Sequence, residues 1–179
     1  DLYYAQNNTI VGRNIEYDVE GKLNSIMQVD EDGLIHSSTL YDNATTKHFY
    51  DASMGKTEVK RYYPNGKLSS HFFIADGQMH GLLMNYYPNG IKKDSTNFVY
   101  GKIDGKRFTW DIDGKVTDID NYCLGKRNGK NLTYNNGKIR FENEYVLDNE
   151  EGAFIEYYEN GKMQRRIPYS NNEKNGEYE

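Results

Sequence analysis

Aspartates close to glycine are the first residues that invite a chemical function. They lie at two places: Asp30 and Asp32 before Gly33, and Asp111 and Asp113 before Gly114. Carboxylates at alternate positions before a glycine are typical of calcium loops, but neither stretch has the further ligands and the later glutamate that such a loop requires. Aspartates that bond to their own backbone in a turn explain the same residues. We therefore interpret both stretches as turns and expect no metal site.

Histidine and cysteine offer no clearer chemistry. The spacing of the four histidines is not that of metal ligands: His36, His48, His71 and His80. Cys123 is the single cysteine, so it cannot form a disulfide within the chain, and no histidine stands near it to activate it. We expect an inert thiol on a strand. The sequence predicts no catalytic residue, no cofactor and no enzyme activity.

Aromatic residues make up 14% of the chain, and 17 of them are tyrosines. Aromatic rings can bind sugars or quaternary ammonium groups when they are exposed and suitably arranged. The one tryptophan, Trp110, stands in a column that is otherwise tyrosine, which favours a packed position over a binding cage. A carbohydrate-binding module of the cell envelope is the alternative function that exposed, parallel rings would support.

A repeat of 23 to 24 residues must position all of these side chains. The stretch RYYPNGKL at 61–68 returns as NYYPNGIK at 85–92 and as EYYENGKM at 156–163. Asn-Gly or Asp-Gly between strand-forming residues is typical of a hairpin tip, and a second glycine follows at the end of each connector. The two series are Gly66, Gly90, Gly114, Gly137 and Gly161 at the tips, and Gly81, Gly105, Gly129, Gly152 and Gly176 at the connectors.

Each predicted hairpin has apolar residues at alternate positions, which places them on one face of the strand. They are the third and fifth residues after the connector glycine: Met84, Phe108, Leu132 and Ile155, then Tyr86, Trp110, Tyr134 and Tyr157. Polar residues lie between them: Asn85, Thr109, Thr133 and Glu156. The alternation predicts one packed face and one face in contact with water. The shorter interval before Gly137 predicts a deletion at one tip.

The predicted fold is all-β: an elongated repeat of about seven consecutive antiparallel β-hairpins that form a single twisted sheet. Residues 1–52 are predicted to contain degenerate hairpins, with tips in EYDVEGKL at 16–23 and YDNATTK near 41, and residues 53–179 the regular ones in the same continuous domain. An isolated hairpin is marginally stable, so neighbouring hairpins must stack. Open sheet edges also predict end-to-end self-association.

Charge and composition exclude some partners. The net charge is -5, and no long run of either sign is present, so the sequence argues against nucleic acid and anionic lipid as partners. No stretch resembles a transmembrane segment. The sequence begins at Asp1 rather than Met, which fits either a bacterial cytoplasmic protein or one exported after removal of a signal peptide. A new repeat starts just before Glu179, so we expect either a longer chain or a final edge strand.

The recurring pattern resembles the MORN-repeat variant, the repeat of bacterial antitoxin-type proteins of the YwqK type. The stretches that carry the resemblance are GLLMNYYPNGIK, GAFIEYYENGKM and LGKRNGKNLTYNNGK, and it covers residues 53–179 well. The resemblance implies an elongated sheet that serves as a protein-interaction scaffold and contains no catalytic residue. It also implies another protein, such as a toxin, as the partner.

The sixth residue after the connector glycine is the predicted partner-binding column. It lies opposite the predicted packed face and varies between repeats, which is expected of a surface that recognises a partner. The candidates are Tyr63, Tyr87 and Tyr158. Ordinary pairing of tyrosines across neighbouring strands is the alternative explanation of the same residues.

Overall fold

The computed structural model contains only strands and turns in the part of the chain that it describes. It describes the backbone of residues 4–6, 9–17, 23–29, 35–43, 46–51, 55–76 and 78–176, and the side chains of residues 17, 25, 26, 55–76 and 78–176. The predicted all-β class, built of consecutive antiparallel hairpins in an open arrangement, is confirmed. The chain divides into two compact units, residues 1–80 and 81–179.

The first unit is a run of antiparallel strands in chain order. They are β1 (Tyr4–Gln6), β2 (Thr9–Tyr17), β3 (Leu23–Val29), β4 (Ile35–Asn43), β5 (Thr46–Asp51), β6 (Lys56–Tyr62), β7 (Leu68–Ala75) and β8 (Gln78–Met79). Each strand pairs with the next one along the chain. Tyr17 pairs with Leu23, and Asn43 with Thr46, so hairpins occur at both predicted N-terminal tips. Residues 18–22, 30–34 and 44–45 lie outside the described residues.

The second unit continues the same pattern with the regular repeats. Its strands are β9 (Gly81–Tyr86), β10 (Lys92–Val99), β11 (Lys102–Trp110), β12 (Val116–Cys123), β13 (Lys126–Arg127), β14 (Gly129–Asn135), β15 (Lys138–Val146), β16 (Asn149–Glu150), β17 (Gly152–Tyr157), β18 (Met163–Ser170) and β19 (Glu173–Lys174). Neighbouring strands pair antiparallel. Beyond the short strands β13 and β16, β12 also pairs with β14, and β15 with β17. No helix that could cross a membrane occurs among the described residues.

Seven hairpins have their turn at a predicted tip, in agreement with the prediction of about seven. Within the described residues they are β2–β3, β4–β5, β6–β7, β9–β10, β11–β12, β14–β15 and β17–β18. The prediction combined the recurring tip sequence, the two glycine series and the period of 23 to 24 residues. It succeeded because a hairpin register is determined by the length and type of its turn.

The tip between β9 and β10 shows how the recurring octapeptide forms its turn. The backbone N–H of Gly90 donates to the carbonyl oxygen of Tyr87, and the N–H of Tyr87 donates to that of Ile91, each at 2.8 Å. Gly90 has a φ of 93°, in the left-handed region that favours glycine. The Oδ1 atom of Asn89 accepts a further bond from the N–H of Ile91 at 3.0 Å. The same bonds recur at 63–67 and 158–162, so Tyr-x-Asn-Gly specifies a three-residue loop with a bulge at glycine.

The tip between β14 and β15 is one residue shorter, as the sequence predicts. Asn135 pairs with Lys138, which leaves Asn136 and Gly137 as a two-residue turn with φ values of 52° and 75°. Positive φ at both positions identifies the turn type in which Asn-Gly is favoured. The deletion is confined to the turn.

The connector edge, defined as the edge opposite the tips in the second unit, has a second kind of turn. Its two-residue turns are Tyr100–Gly101, Leu124–Gly125, Leu147–Asp148 and Asn171–Asn172, and all of these residues have positive φ. After the turn, the two strands pair over a short stretch that is followed by a bulge. Between β10 and β11, Phe98 pairs with Ile103, whereas the next pair is Thr96 with Arg107. The predicted connector is therefore a tight turn followed by a bulged strand.

Hydrogen bonds along the connector edge join each turn to the preceding repeat. The residue just before a connector glycine accepts a bond from the first N–H of the next turn: Leu124 N to Asp104 Oδ1 at 3.0 Å, Leu147 N to Asn128 Oδ1 at 3.3 Å, and Asn171 N to Glu151 Oε1 at 2.9 Å. These bonds satisfy backbone groups that the strand ladder leaves open. Sequence reasoning did not predict this contact between repeats.

Leu124 is a direct test of the turn geometry. It has a φ of 47°, a conformation that costs a branched or bulky residue about 1 to 2 kcal/mol and that asparagine tolerates. We expect Leu124→Asn to leave the free energy of unfolding equal or higher, and Leu124→Ala to be less stable than Leu124→Asn by about 1 kcal/mol. Urea unfolding measures both. An Ala variant as stable as the Asn variant would contradict the left-handed turn.

Candidate interaction surface

The strand register of the second unit assigns every side chain to one of two faces. Residues directly opposite on neighbouring strands share a face. The polar face contains the row Asn85, Asp94, Thr109, Asp118, Thr133, Phe141, Glu156 and Arg165. The apolar face contains the row Met84, Ser95, Phe108, Ile119, Leu132, Glu142, Ile155 and Arg166.

Burial on these faces differs from the sequence prediction. The most buried described side chains of the second unit lie on the polar face: Thr96, Asn131, Tyr145, Glu156 and Ile167. Glu156, predicted to contact water, is only 8% exposed. Every member of the predicted packed columns, from Met84 to Tyr157, is half-buried. The prediction of a packed apolar face and a wet polar face is therefore wrong for this unit.

The physical cause is visible around Glu156, where long side chains cover the polar face. Its carboxylate binds Arg140 Nη2 and Arg165 Nε, each at 2.6 Å. The guanidinium of Arg140 lies over the Phe141 ring and that of Arg165 over the Phe154 ring. These two rings stack with 5.8 Å between centroids. Arginine side chains that lie over aromatic rings thus bury a carboxylate, a result that hydrophobic patterning does not anticipate.

A second polar cluster joins β13, β15 and β16. Arg127 Nη1 donates to the hydroxyl of Tyr145 at 3.3 Å, and that hydroxyl lies 3.2 Å from Glu150 Oε1. Burial raises the pKa of Tyr145, and the nearby Glu150 carboxylate raises it further. The phenol therefore stays protonated and donates to Glu150. This arrangement connects two repeats through one buried ring.

Asp120 is a carboxylate of the polar face with a raised pKa. Burial raises its pKa above the usual value, Asp118 adds to the rise, and Arg107 and Arg127 oppose it. Within the described residues, no three His, Cys, Asp or Glu side chains are grouped as metal ligands.

The apolar face has no second layer of the described chain over it in this unit. Its half-buried columns run from strand to strand, and Leu82 and Met163 at its margins are 47% exposed. The Phe108 and Trp110 rings stack on each other at 5.8 Å with 22° between planes. A sugar sandwiched between two rings needs about 3.5 to 4.0 Å on each side, so these rings are too close to clamp one. The face is a surface of half-buried apolar side chains, with Ser95, Glu142 and Arg166 among them.

The predicted partner-binding tyrosines occupy the first position of three tips. Tyr63 and Tyr87 are half-buried, and Tyr158 is 50% exposed. The Tyr87 hydroxyl donates to the carbonyl oxygen of Trp110 at 2.9 Å and so links two tips. In the second unit Tyr87 and Tyr158 lie on separate tips rather than in one cluster. Their role in binding stays a prediction.

The shortened tip leaves a notch beside Tyr158. A cavity of about 110 Å³ is lined there by Asn135, Asn136, Lys138, Ile139, Arg140, Tyr158 and Glu159. Lys138 Nζ donates to the carbonyl oxygen of Glu159 at 2.7 Å across it. The volume is well below the 300 Å³ or more of typical small-molecule sites. The notch can hold one side chain of a partner.

The structure also describes several of the residues that were considered for metal binding or catalysis. Asp111 Oδ1 accepts bonds from the N–H groups of Asp113 and Lys115 at 3.0 and 2.8 Å, which confirms the turn interpretation there. Asp30 and Asp32 lie outside the described residues. His71 Nε2 lies 2.7 Å from Glu58 Oε1, and Cys123 is exposed at the end of β12.

Glu156 provides a test of the buried ionic cluster. Glu156→Gln removes the charge that both arginines bind, and hydrogen bonds to charged groups contribute about 1.5 to 3 kcal/mol. Because Arg165 is half-exposed, we expect a loss near the lower end of that range in urea unfolding. Glu159→Gln, at an exposed tip, is the matched control and should have no effect. Equal effects of the two substitutions would contradict the cluster.

Asp120 predicts a pH dependence of opposite sign to that of most carboxylates. The pKa of Asp120 is higher in the folded than in the unfolded protein, so ionisation of Asp120 destabilises the fold. This destabilisation is absent at low pH and fully present once the pH exceeds the folded pKa. We therefore expect Asp120→Asn to raise the melting temperature at pH 7 and to leave it nearly unchanged at pH 3. Asp113→Asn at the exposed tip is the control. A neutral-pH destabilisation by Asp120→Asn would contradict the assignment.

Two segments of the chain match the model of a known family. Residues 57–74 and 150–171 match the family model of the MORN repeat variant. No curated protein matches the chain. The first matched segment contains most of β6, the tip and β7, and the second contains β17, its tip and β18. Two of the hairpins described above are therefore similar in sequence to the MORN repeat variant.

Proposed function

We propose that the chain is a non-enzymatic repeat protein that acts as a protein-interaction scaffold through the apolar face. The observation that carries this proposal is the row of half-buried apolar side chains with no covering layer in the described second unit. Contiguous exposed apolar surface on a protein of this size is typical of an interaction site. The similarity of two segments to the MORN repeat variant supports the same function.

The partner that we propose is another protein, and specifically a toxin that this chain neutralises as an antitoxin or immunity protein. The support for the toxin is the resemblance of the repeats to bacterial antitoxin-type proteins. A broad face suits a protein surface better than a small molecule, since the notch beside Tyr158 is small. Tyr63, Tyr87 and Tyr158 are proposed as additional contacts at the tips.

Affinity capture from a lysate of the native organism tests the proposal. The bait is the full chain, compared with Leu82→Lys/Met163→Lys, which places two charges on exposed positions of the apolar face. The matched control is Ile112→Lys, because Ile112 is exposed at a tip and lies off that face. We expect one protein to be captured by the wild type and the control, and to be lost from the double variant.

The captured protein is then produced alone and titrated against each bait. A dissociation constant at least tenfold weaker for the double variant supports the apolar face. Growth arrest by the partner, relieved when this chain is produced with it, supports the toxin. Retention of the chain on cell-wall material without protein capture would instead favour a carbohydrate-binding module. Equal binding by all baits would contradict the proposal that the apolar face binds the partner. Loss of binding in Tyr63→Ala/Tyr87→Ala/Tyr158→Ala would assign the contact to the tips.

A further inference from the structure

The Asn-Gly pairs at the hairpin tips contain the groups needed for a spontaneous chemical reaction. The side-chain amide of asparagine lies next to the backbone nitrogen of the following glycine, which has no Cβ to hinder an approach. Such pairs occur at four tips, and every residue in them is exposed: 65–66, 89–90, 136–137 and 160–161. Because exposure is the same, hydrogen bonding decides which pair can react.

The reaction is deamidation. The backbone nitrogen of glycine loses its proton and attacks Cγ of asparagine, so that an N–Cγ bond forms and the Cγ–Nδ2 bond breaks. The amide nitrogen takes up that proton and leaves as ammonia. Water then opens the cyclic imide. Attack of water at Cγ gives aspartate, whereas attack at the backbone carbonyl carbon gives isoaspartate, in which the main chain runs through the side chain.

At three of the four tips, both reacting groups are engaged in hydrogen bonds. The N–H of glycine donates to the carbonyl oxygen of the tyrosine that opens the tip: Gly66 to Tyr63 at 2.8 Å, Gly90 to Tyr87 at 2.8 Å, and Gly161 to Tyr158 at 2.9 Å. The Oδ1 atom of asparagine accepts a bond from the backbone N–H two residues later in Asn65, Asn89 and Asn160. These bonds must open before the nitrogen can attack the amide.

The shortened tip between β14 and β15 lacks these bonds. Asn136 and Gly137 form a two-residue turn, which is closed by pairing of the flanking residues Asn135 and Lys138. Within the described residues, neither the N–H of Gly137 nor the side chain of Asn136 makes a hydrogen bond. The deletion that shortened this tip therefore also removed the protection that the other three tips have.

Two further Asn-Gly pairs lie at connectors. Asn128 Oδ1 accepts a bond from Leu147 N at 3.3 Å, and Gly129 pairs with Tyr145 on β15, so the first of these pairs is bonded as well. The second pair, 175–176, adjoins residues 177–179, which lie outside the described residues. The three bonded tips are therefore the appropriate standard for the pair at 136–137.

Conversion of Asn136 would alter the notch that it lines. Lys138 and Arg140 belong to the same lining, so a carboxylate in place of the amide adds a negative charge beside two cations. Isoaspartate also adds one backbone carbon between Asn135 and Lys138. Because the register of a hairpin depends on the length of its turn, this product changes the turn as well as the charge.

We propose that Asn136 is a site of spontaneous deamidation in the folded protein, with the backbone nitrogen of Gly137 as the nucleophile and a carboxylate in the notch as the result. The reaction requires only water and loss of the Gly137 N–H proton, so its rate rises with pH. The inference goes beyond the proposed scaffold function and does not depend on it, because the reaction needs no partner.

The test measures each Asn-Gly pair separately in the purified full chain. The protein is incubated at mildly alkaline pH, digested with trypsin at intervals and analysed by mass spectrometry. Cleavage after lysine places the reactive pair in peptide 131–138, apart from the other three tips. Electron-transfer fragmentation distinguishes aspartate from isoaspartate. The chain unfolded in guanidinium chloride is the control, because it has the same local sequence without the hydrogen bonds of the tips.

In the folded chain, we expect the pair at 136–137 to lose its amide at least about fivefold faster than the three bonded tips, which corresponds to the opening of one hydrogen bond. In the unfolded chain, the four rates should be similar. Equal rates at the four tips of the folded chain would overturn the proposal. The same ranking in the unfolded chain would also overturn it, because the local sequence would then explain the difference.

Two variants test the position and the cause. Asn136→Asp keeps a residue that this turn favours and has no amide to lose, so peptide 131–138 should no longer change in mass. Insertion of proline between Asn135 and Asn136 restores the length of the other tips and should slow the reaction to their rate. The melting temperature checks that both variants are folded. Amide loss from Asn136→Asp at the wild-type rate, or an unchanged rate in the folded insertion variant, would contradict the proposal.

Discussion

Pairing of each strand with the next one in the chain is the constraint on which this structure depends. A two-stranded hairpin is barely stable alone, and each unit has no described helix or second sheet to cover it. Every hairpin must therefore be held by its neighbours. The turns at both edges set the register of that pairing, because a slip of one residue would exchange the two faces. This explains why the turns are the most regular part of the sequence.

Burial in such a sheet has to come from neighbours on the same face. On the polar face of the second unit, arginine stems and ion pairs cover the strands, and Glu156 is buried between two guanidinium groups. On the apolar face, the aromatic and aliphatic side chains of the predicted packed columns stay half-buried. Length and pairing of side chains, rather than hydrophobicity, decide which face is better covered. The apolar surface left open is what makes a scaffold function physically reasonable.

The two edges of the repeat differ in how well they tolerate a change in the length of their turns. At the tips, the loss of one residue converts a three-residue loop into an Asn-Gly turn, and the strands keep their pairing. At the connectors, each turn is bonded to the preceding repeat through Asp104, Asn128 or Glu151. Insertions there would disturb these bonds between repeats, whereas the tip between β14 and β15 has lost a residue while its strands stay paired. The length of the tips can therefore vary more freely than that of the connectors.

The sequence by itself determined the repeat, the hairpins and their tips, because turn chemistry is local: Asn89 and Gly90 specify their loop with atoms of five consecutive residues. It also identified Asp111 as a turn residue. Only the tertiary structure decided that Glu156 is buried and that Met84 and Phe108 are partly open, since burial depends on Arg140 and Arg165 from neighbouring strands. It likewise showed that connector turns bond to the preceding repeat, because Leu124 N donates to Asp104 Oδ1 across 20 positions of the chain. Local chemistry can be read from local sequence, whereas a surface is assembled from residues that the chain keeps apart.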